Sequence, residues 1–297
     1  MKKLFGDKTG QRVSINYTVN QFWSEEANKC LTVEYATSIK VLAAAPAAAV
    51  QQKASGPKAG TQAFANSIGM EFVLIPASSF PIVTGKNDFG EDVLAKVIVS
   101  KPFYLGKYEV TQEQWVAVMG KNPSEFKGRT NPVENVSWND VQEFIKRLNQ
   151  KEGHSRYRLP TEMEWELAAR GGTNTQFFFM KDPKTWADAE RPLSDYAWFD
   201  KNSGGSTHPV GQKKPNPYGL YDIYGNVCEW VEDWYEDLPE SREITDYRGP
   251  ASGSFRVSRG GSCDNRAEGC RSANRYADTL GIRSDNPTGF RLALSPE

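Results

Sequence analysis

The side chains that could carry redox or metal chemistry are few in this chain. Two of its four cysteines, Cys263 and Cys270, lie seven residues apart, whereas Cys30 and Cys228 stand alone. No pair has the CxxC spacing typical of zinc or thiol–disulfide sites. Cys228 is interpreted as a buried small hydrophobic residue, because free cysteines are commonly buried.

Histidine chemistry is limited in the same way. His154 and His208 are the two histidines of the chain, so one copy cannot form a three-histidine metal site. Both lie in polar stretches flanked by glycine or serine, without a nucleophile motif beside them. This argues against a Ser–His–Asp triad.

The composition excludes several classes of partner. The formal net charge is -1, which gives no bulk electrostatic case for nucleic acid or a membrane surface. No run of about 18 apolar residues is present, so no membrane-spanning segment is predicted. A mean hydropathy of -0.61 combined with 12% aromatic residues indicates a folded, loop-rich protein with an aromatic core.

A linker divides the chain into two predicted parts. Residues 1–62 form an N-terminal segment in which the alternation over 13–19 predicts a hairpin or a small strand layer. Its end, 43–62, reads AAAPAAAVQQKASGPKAGTQ and is typical of a flexible linker. The Ala-rich stretch 41–50 also leaves a secretory signal open as an alternative. Residues 63–297 are predicted to form one domain.

Local signals place the elements of that domain. Strands are predicted at 70–75, 97–99 and 103–110. Three hydroxyl residues each precede a Gln, Asp or Glu by three positions, and these capping boxes predict helices over about 111–119, 138–150 and 161–170. The three pairs are Thr111 with Gln114, Ser137 with Asp140, and Thr161 with Glu164. About ninety residues after Arg170 show no long helix, and such long loops are usually functional or held by metal.

Seven ordered strings carry a family resemblance across about residues 68–294. Together they resemble the formylglycine-generating enzyme, or sulfatase-modifying factor, family. The resemblance implies an α+β fold of the C-type-lectin type with little regular secondary structure and long loops. The strings are GMEFVLIP (69–76), YEVTQEQW (108–115), NPVENVSW (131–138), YRLPTEMEWE (157–166), YGLYDIYGNVCEW (218–230), RGGS (259–262) and GFR (289–291).

The enzymes of that family oxidise a sulfatase cysteine with two active-site thiols that hold copper(I). Those thiols lie five residues apart, shortly after the Gly-Gly-Ser string, and a thiolate pair suits copper(I). Cys263 and Cys270 are seven apart, and Cys263 directly follows Ser262, where the family usually has an aromatic residue. No register places both cysteines on the catalytic positions. We therefore predict no catalytic residues and expect no copper, with a copper-dependent oxidase kept as the alternative.

Residues 257–295 resemble the C-terminal regions of a second group, the variable proteins of diversity-generating retroelements. This resemblance implies a non-enzymatic protein, at the cell surface or outside the cell, that presents a diversified surface to a protein or other macromolecule. Strands over 256–262 and 289–294, with 271–275, would form the frame. Arg271 and Arg275 are assigned to that frame, whereas Arg266 and Arg283 lie outside it. The predicted ligand contacts are Cys263, Asp264, Asn265, Gly269, Tyr276, Ala277, Asp278, Thr279, Gly281, Ser284 and Asp285.

A calcium site is also implied by the family resemblance. The matching string would supply the side chains of Asp222 and Glu229 and the backbone carbonyls of Gly225 and Val227, and such oxygen ligands suit a hard cation. The alternative is that Glu229 forms an internal salt bridge and Asn226 caps a turn. A third possibility for the function is a structural or sensor domain whose N-terminal 60 residues carry the partner contacts.

Overall fold

A computed structural model describes residues 3–6, 12–24, 29–41, 62–86, 92–181, 183–239, 241–279 and 287–295. Side chains are described from residue 62 onward. The chain divides into two compact units, Met1–Gln52 and Lys53–Glu297. The division falls within the predicted linker, most of which lies outside the described residues.

The first unit is a three-stranded antiparallel sheet. It consists of β1 (Lys3–Gly6), β2 (Arg12–Ser24) and β3 (Lys29–Val41), in the order β1-β2-β3. Val13 pairs with Val41, and the register shifts between Asn16 and Tyr17. The strand layer predicted from the alternation over 13–19 is therefore confirmed as part of β2.

The second unit combines short strands with four helices among its described residues. Its helices are α1 (Gln112–Met119), α2 (Trp138–Glu152), α3 (Glu162–Arg170) and α4 (Trp186–Leu193). Its strands are β4 (Ala63–Ala65), β5 (Glu71–Ile75), β6 (Ser78–Lys86), β7 (Asp92–Val99), β8 (Phe103–Gly106), β9 (Tyr157–Arg158), β10 (Cys228–Trp234), β11 (Glu243–Thr245), β12 (Phe255–Arg259), β13 (Tyr276–Thr279), β14 (Thr288–Gly289) and β15 (Ala293–Leu294).

The three predicted capping boxes are confirmed. The N-cap hydroxyl of each helix accepts the backbone N–H three residues on, and the side chain at that position accepts the N-cap N–H in return. Asp140, although short, reaches the Ser137 N–H at 3.0 Å. Each helix ends at a left-handed glycine, namely Gly120, Gly153 and Gly171. Between Arg170 and β12 the one described helix is the eight-residue α4.

The sheets bring the end of the chain into the middle of the unit. The strand orders are β4-β5-β8-β15-β9, β13-β12-β10-β14 and β11-β7-β6. Because β14 and β15 belong to two different sheets, residues 288–294 join them. One apolar core packs around Trp165 and Tyr224, and the other around Trp230 and Phe290. None of the described helices combines the length and apolar character needed to cross a membrane.

The predicted frame strand over 289–294 is interrupted at its centre. Strands β14 and β15 leave 290–292 without ladder pairing, and there the Arg291 side chain turns inward. Its guanidinium donates to Glu229 at 2.7 Å and to the carbonyl oxygens of Gly106 and Tyr221 at 3.0 and 2.9 Å. Trp165 Nε1 donates to the same Glu229 carboxylate at 2.8 Å. Both charged side chains are at most 1% exposed, so this ion pair fixes 290–292 to β10.

A second buried ion pair fixes β12. Arg259 donates to Glu162 at 3.0 Å and also pairs with Glu166, both on α3. Arg275 binds the Glu162 carboxylate through two nitrogens, so helix α3 holds two separate points of the C-terminal stretch. Asp233 on β10 accepts the Glu162 backbone N–H at 2.7 Å.

We predict that Glu229→Ala lowers the free energy of unfolding by about 3–5 kcal/mol, because Arg291 would remain buried without a counter-charge. Urea denaturation followed by tryptophan fluorescence measures the change. Glu236→Ala removes an exposed carboxylate of the same unit, and as the control it should change the value by less than about 0.5 kcal/mol. Equal stability of the two variants would contradict the role of the ion pair.

A second prediction concerns pH. Burial and the nearby Glu162 carboxylate raise the pKa of Asp233 to about 7 from 3.8. Between these values the folded state holds a proton that the unfolded state has lost. The stability that the Asp233 proton contributes is therefore fully present below pH 4 and is lost as pH rises through 7. Asp233→Asn should remove about 2–4 kcal/mol of that fall. Denaturation from pH 4 to 8 measures the free energy of unfolding, with the exposed Asp237→Asn as the control. Parallel pH profiles for wild type and Asp233→Asn would refute the prediction.

Candidate ligand-binding face

The chain leaves β12 through two left-handed glycines. Gly260 and Gly261 have φ of 89° and 71°. A Cβ on Gly261 would lie 2.9 Å from the Cys270 sulfur. The Arg-Gly-Gly-Ser string is thus required by a tight turn that brings residues 262–270 back against the domain.

The next turn is held by its own polar groups. Asn265 Oδ1 accepts the Ser262 N–H at 2.8 Å and the Ser262 hydroxyl at 3.0 Å. The Cys263 N–H donates to the Asn226 carbonyl, and the Cys263 carbonyl accepts the Ser203 hydroxyl at 2.7 Å. Cys263 is 0% exposed. Its prediction as a ligand contact is therefore wrong, because this turn points the side chain into the domain.

Asn265 is half-buried, and its side-chain oxygen holds the turn. Its place among the ligand contacts stays a prediction, and contact through that oxygen would require the turn to open. Asp264, in contrast, is exposed at the tip of the same turn.

The cysteines of this region are free and buried. Cys228, Cys263 and Cys270 are unpaired thiols, each at most 2% exposed, as predicted for Cys228. Burial raises the pKa of Cys263 and of Cys270 to about 12, and that of Cys228 well above 9.0. The raised pKa values favour the thiol over the thiolate, which is the form that acts as metal ligand and nucleophile.

A shallow cavity of about 600 Å³ lies beside the turn. Two predicted contacts, Gly269 and Tyr276, line it. The Tyr276 hydroxyl donates to the Gly269 carbonyl at 3.1 Å, and a Cβ at Gly269 would lie 2.5 Å from that hydroxyl oxygen. Glycine is therefore needed for the tyrosine ring to seat. The other lining residues are Gln176, Trp186, Glu268, Arg271 and Asn274.

Strand β13 divides the remaining contacts between two sides. Tyr276 and Asp278 are half-buried on one side, whereas Ala277 and Thr279 are exposed on the other. Asp278 accepts the Ser258 hydroxyl at 2.5 Å. β13 pairs with β12 at the edge of its sheet, so alternate residues of β13 face opposite sides of that sheet. Gly281, Ser284 and Asp285, with Arg283, lie outside the described residues.

The sequence did not indicate Trp186. This residue begins α4, is 37% exposed and lies with Arg271 over its ring at 5.7 Å. Nothing in the local sequence separates it from the buried tryptophans Trp165 and Trp230. Arg275 is bound to Glu162, as its frame assignment predicts, whereas Arg271 donates to the Glu268 carbonyl and lines the cavity.

The Glu229 carboxylate, which the resemblance implies as a calcium ligand, is bound by other side chains in this structure. Both Glu229 oxygens accept hydrogen bonds from Arg291, and one also accepts from Trp165. Asp222 keeps one buried oxygen without a partner while the other accepts the Gly211 N–H. The described residues show no cluster of three or more His, Cys, Asp or Glu able to hold a metal ion. Calcium binding through Asp222, Gly225, Val227 and Glu229 stays a prediction from the resemblance.

Comparison with known proteins supplies the wider context. Residues 60–296 match the sulfatase-modifying factor enzyme 1-like domain. The structure superposes on Treponema denticola variable protein 1 with a TM-score of 0.67 and 36% identity, covering 79% of this chain and 98% of that one. These likenesses confirm the predicted fold class.

Two curated relatives are similar in sequence. The chain is 35% identical over 237 residues to the chaperone protein LppX of Paenibacillus barcinonensis, which covers 66% of this chain and 79% of LppX. It is 32% identical over 220 residues to the formylglycine-generating enzyme of Thermomonospora curvata, which covers 70% of this chain and 69% of the enzyme. The likenesses therefore include proteins named for an enzymatic activity and proteins that are not.

We expect the three described thiols to resist dithiobis-nitrobenzoate in the folded protein, because each is buried and protonated. The measurement uses a Cys30→Ser background and follows absorbance at neutral pH before and after guanidinium unfolding. Labelling should appear only on unfolding. Rapid reaction of Cys263 or Cys270 in the folded state, identified by peptide mass mapping, would contradict this burial.

Proposed function

The chain belongs to the sulfatase-modifying factor enzyme 1-like domain family, and we propose that it is a non-enzymatic member that binds a protein or other macromolecule through a diversified C-terminal surface. The observation that carries the proposal is that residues 257–295 combine buried frame side chains with exposed side chains between them. Frame side chains such as Arg259, Ser262 and Arg291 are 0% exposed. Between them, exposed side chains make few contacts that folding requires.

The binding face that we propose surrounds the edge strand β13. Gly269, Tyr276 and Trp186 line the shallow cavity on one side of the strand, Ala277 and Thr279 are exposed on the other, and Asp264 is exposed at the turn. Tyr276 and Trp186 are aromatic groups with little conformational entropy to lose, a property that suits paratope-like anchors. Asp264 adds an exposed charge at the turn. The shallowness of the cavity favours a macromolecular ligand, because small-molecule sites are usually clefts that enclose most of the ligand.

The diversification part of the proposal rests on two supports. The order of fixed and variable strings resembles that of retroelement variable proteins, and the chain is 36% identical to Treponema denticola variable protein 1. Placement at the cell surface or outside the cell is part of the same proposal, since a macromolecular ligand must be reachable there.

The alternative function is a copper-dependent oxidation of a sulfatase cysteine. It is favoured by the likeness to the formylglycine-generating enzyme of Thermomonospora curvata and by the position of Cys263 after the Gly-Gly-Ser string. The raised pKa of both thiols, which burial causes, weighs against it. Copper(I) binding would require two thiolates to be uncovered together.

The diversification prediction is tested by sequencing the region that encodes residues 257–295 in many isolates. We expect substitutions to concentrate at exposed positions, foremost Asp264, Ala277 and Thr279, because nothing is packed over them. Arg259 and Arg291 should stay constant, because each holds a buried ion pair. Identical sequences throughout, or substitutions spread evenly over frame and face, would refute diversification.

The enzymatic alternative is tested directly. The protein, loaded with copper(I) under air, is incubated with a sulfatase-derived cysteine peptide, and mass spectrometry follows aldehyde formation. We expect none above the level of Cys263→Ser, because the thiols are buried. The formylglycine-generating enzyme of Thermomonospora curvata serves as the positive control. Aldehyde that disappears in the Cys263→Ser variant would establish the oxidase and overturn the binding proposal.

A further inference from the structure

A second cavity lies apart from residues 260–279. Its volume is about 490 Å³, which is within the range of about 300–1,000 Å³ found for small-molecule sites. It is formed where β7 and β9 end and β8 begins, near the start of α3, and the segment after β11 closes one side. None of the residues in the proposed binding face lines it.

The floor of this cavity is apolar. Val99, Phe103 and Met163 line it, and they are 4%, 1% and 1% exposed. Tyr247 forms part of the wall and is half-buried. Because the three floor residues are already buried, the apolar area that a ligand would remove from water belongs mainly to Tyr247 and to the exposed Pro102 at the wall.

Three charged side chains that line the cavity already have hydrogen-bond partners within the protein. Arg158 and Glu164 bind each other through two hydrogen bonds of 2.6 and 2.7 Å and so neutralise one another. Asp246 accepts the Ser100 N–H at 2.8 Å and the Ser100 hydroxyl at 2.6 Å. Each Asp246 oxygen therefore already has a donor.

Two exposed cations remain at the rim. Lys101 and Arg248 line the cavity and both are exposed. Asp246 is a nearby counter-charge for both cations, and Arg248 also faces Glu232, which does not line the cavity. With the Arg158–Glu164 pair neutral, the side chains that line the cavity carry one positive charge in excess. An apolar floor beneath a cationic rim is complementary to a molecule with one apolar part and one anionic group.

We propose that this cavity binds a small organic anion, an apolar ring system that carries one carboxylate, sulfonate or phosphate group. The ring system packs on Tyr247 and Pro102, above the buried floor residues Phe103 and Met163. The anionic group is held by Lys101 and Arg248 through charge-assisted hydrogen bonds. This site is independent of the macromolecular ligand, so either one can fail without the other.

The experiment compares two fluorescent probes that share nearly the same ring system. Anilinonaphthalene sulfonate is anionic and N-phenylnaphthylamine is neutral. The wild-type protein should bind the sulfonate more tightly than the neutral probe. The double variant Lys101→Ala, Arg248→Ala should weaken sulfonate binding about tenfold and leave neutral-probe binding unchanged. Tyr247→Ala should weaken both probes.

A matched control removes two exposed cations elsewhere. Lys146→Ala, Arg147→Ala lies on α2 and should leave both probe affinities unchanged. Naphthoate and naphthyl phosphate, each competing with the sulfonate probe, distinguish a carboxylate from a phosphate as the preferred group. Thermal melting shows that every variant is folded.

Three outcomes overturn the proposal. One is an equal loss of affinity for both probes in the Lys101→Ala, Arg248→Ala variant, since that would show no role for charge. Another is the same loss in the α2 control, since binding would then reflect net charge alone. The third is an unchanged sulfonate affinity in both the rim variant and Tyr247→Ala, which would place the probe elsewhere on the protein.

Discussion

The buried pair of Glu229 and Arg291 is the contact on which the arrangement of the C-terminal region depends. Arg291 enters the interior between two short strands that belong to different sheets. Its guanidinium binds one carboxylate and several backbone carbonyls, so almost all of its donors are used where no water reaches. Such a pair contributes little net stability over an apolar replacement, but half of it alone is costly. It therefore specifies where residues 288–294 must lie.

The same principle explains how the intervening loop can vary. Arg259 and Arg275 hold it to α3 at two points, and the Ser262–Asn265 contacts hold its first turn. These anchors are interior or self-contained. A substitution at an exposed position such as Asp264 removes none of them, so its effect on stability is expected to be small. Fixed anchors and free positions alternate along one segment.

The sequence predicted well what depends on neighbours within a few residues. The three capping boxes located helix starts, because a cap involves only residues i to i+3. Burial of Cys263 was missed, since it depends on bonds to Asn226 and Ser203 far away in sequence. The position of Trp186 at the wall of the shallow cavity was missed for the same reason. For Glu229, the sequence left calcium and an internal salt bridge open, and only the position of Arg291 shows that the carboxylate is engaged.

The thiols show why family resemblance alone could not decide the chemistry. The residue after Gly-Gly-Ser points inward here, and its backbone is held on both sides by Asn226 and Ser203. To expose Cys263 as a thiolate, the turn would have to break those bonds and the two bonds of Asn265 to Ser262. Each broken bond leaves a polar group to be satisfied again. In this chain the cysteine at that position lies buried beneath the turn, and Asp264 is exposed at the tip of the same turn.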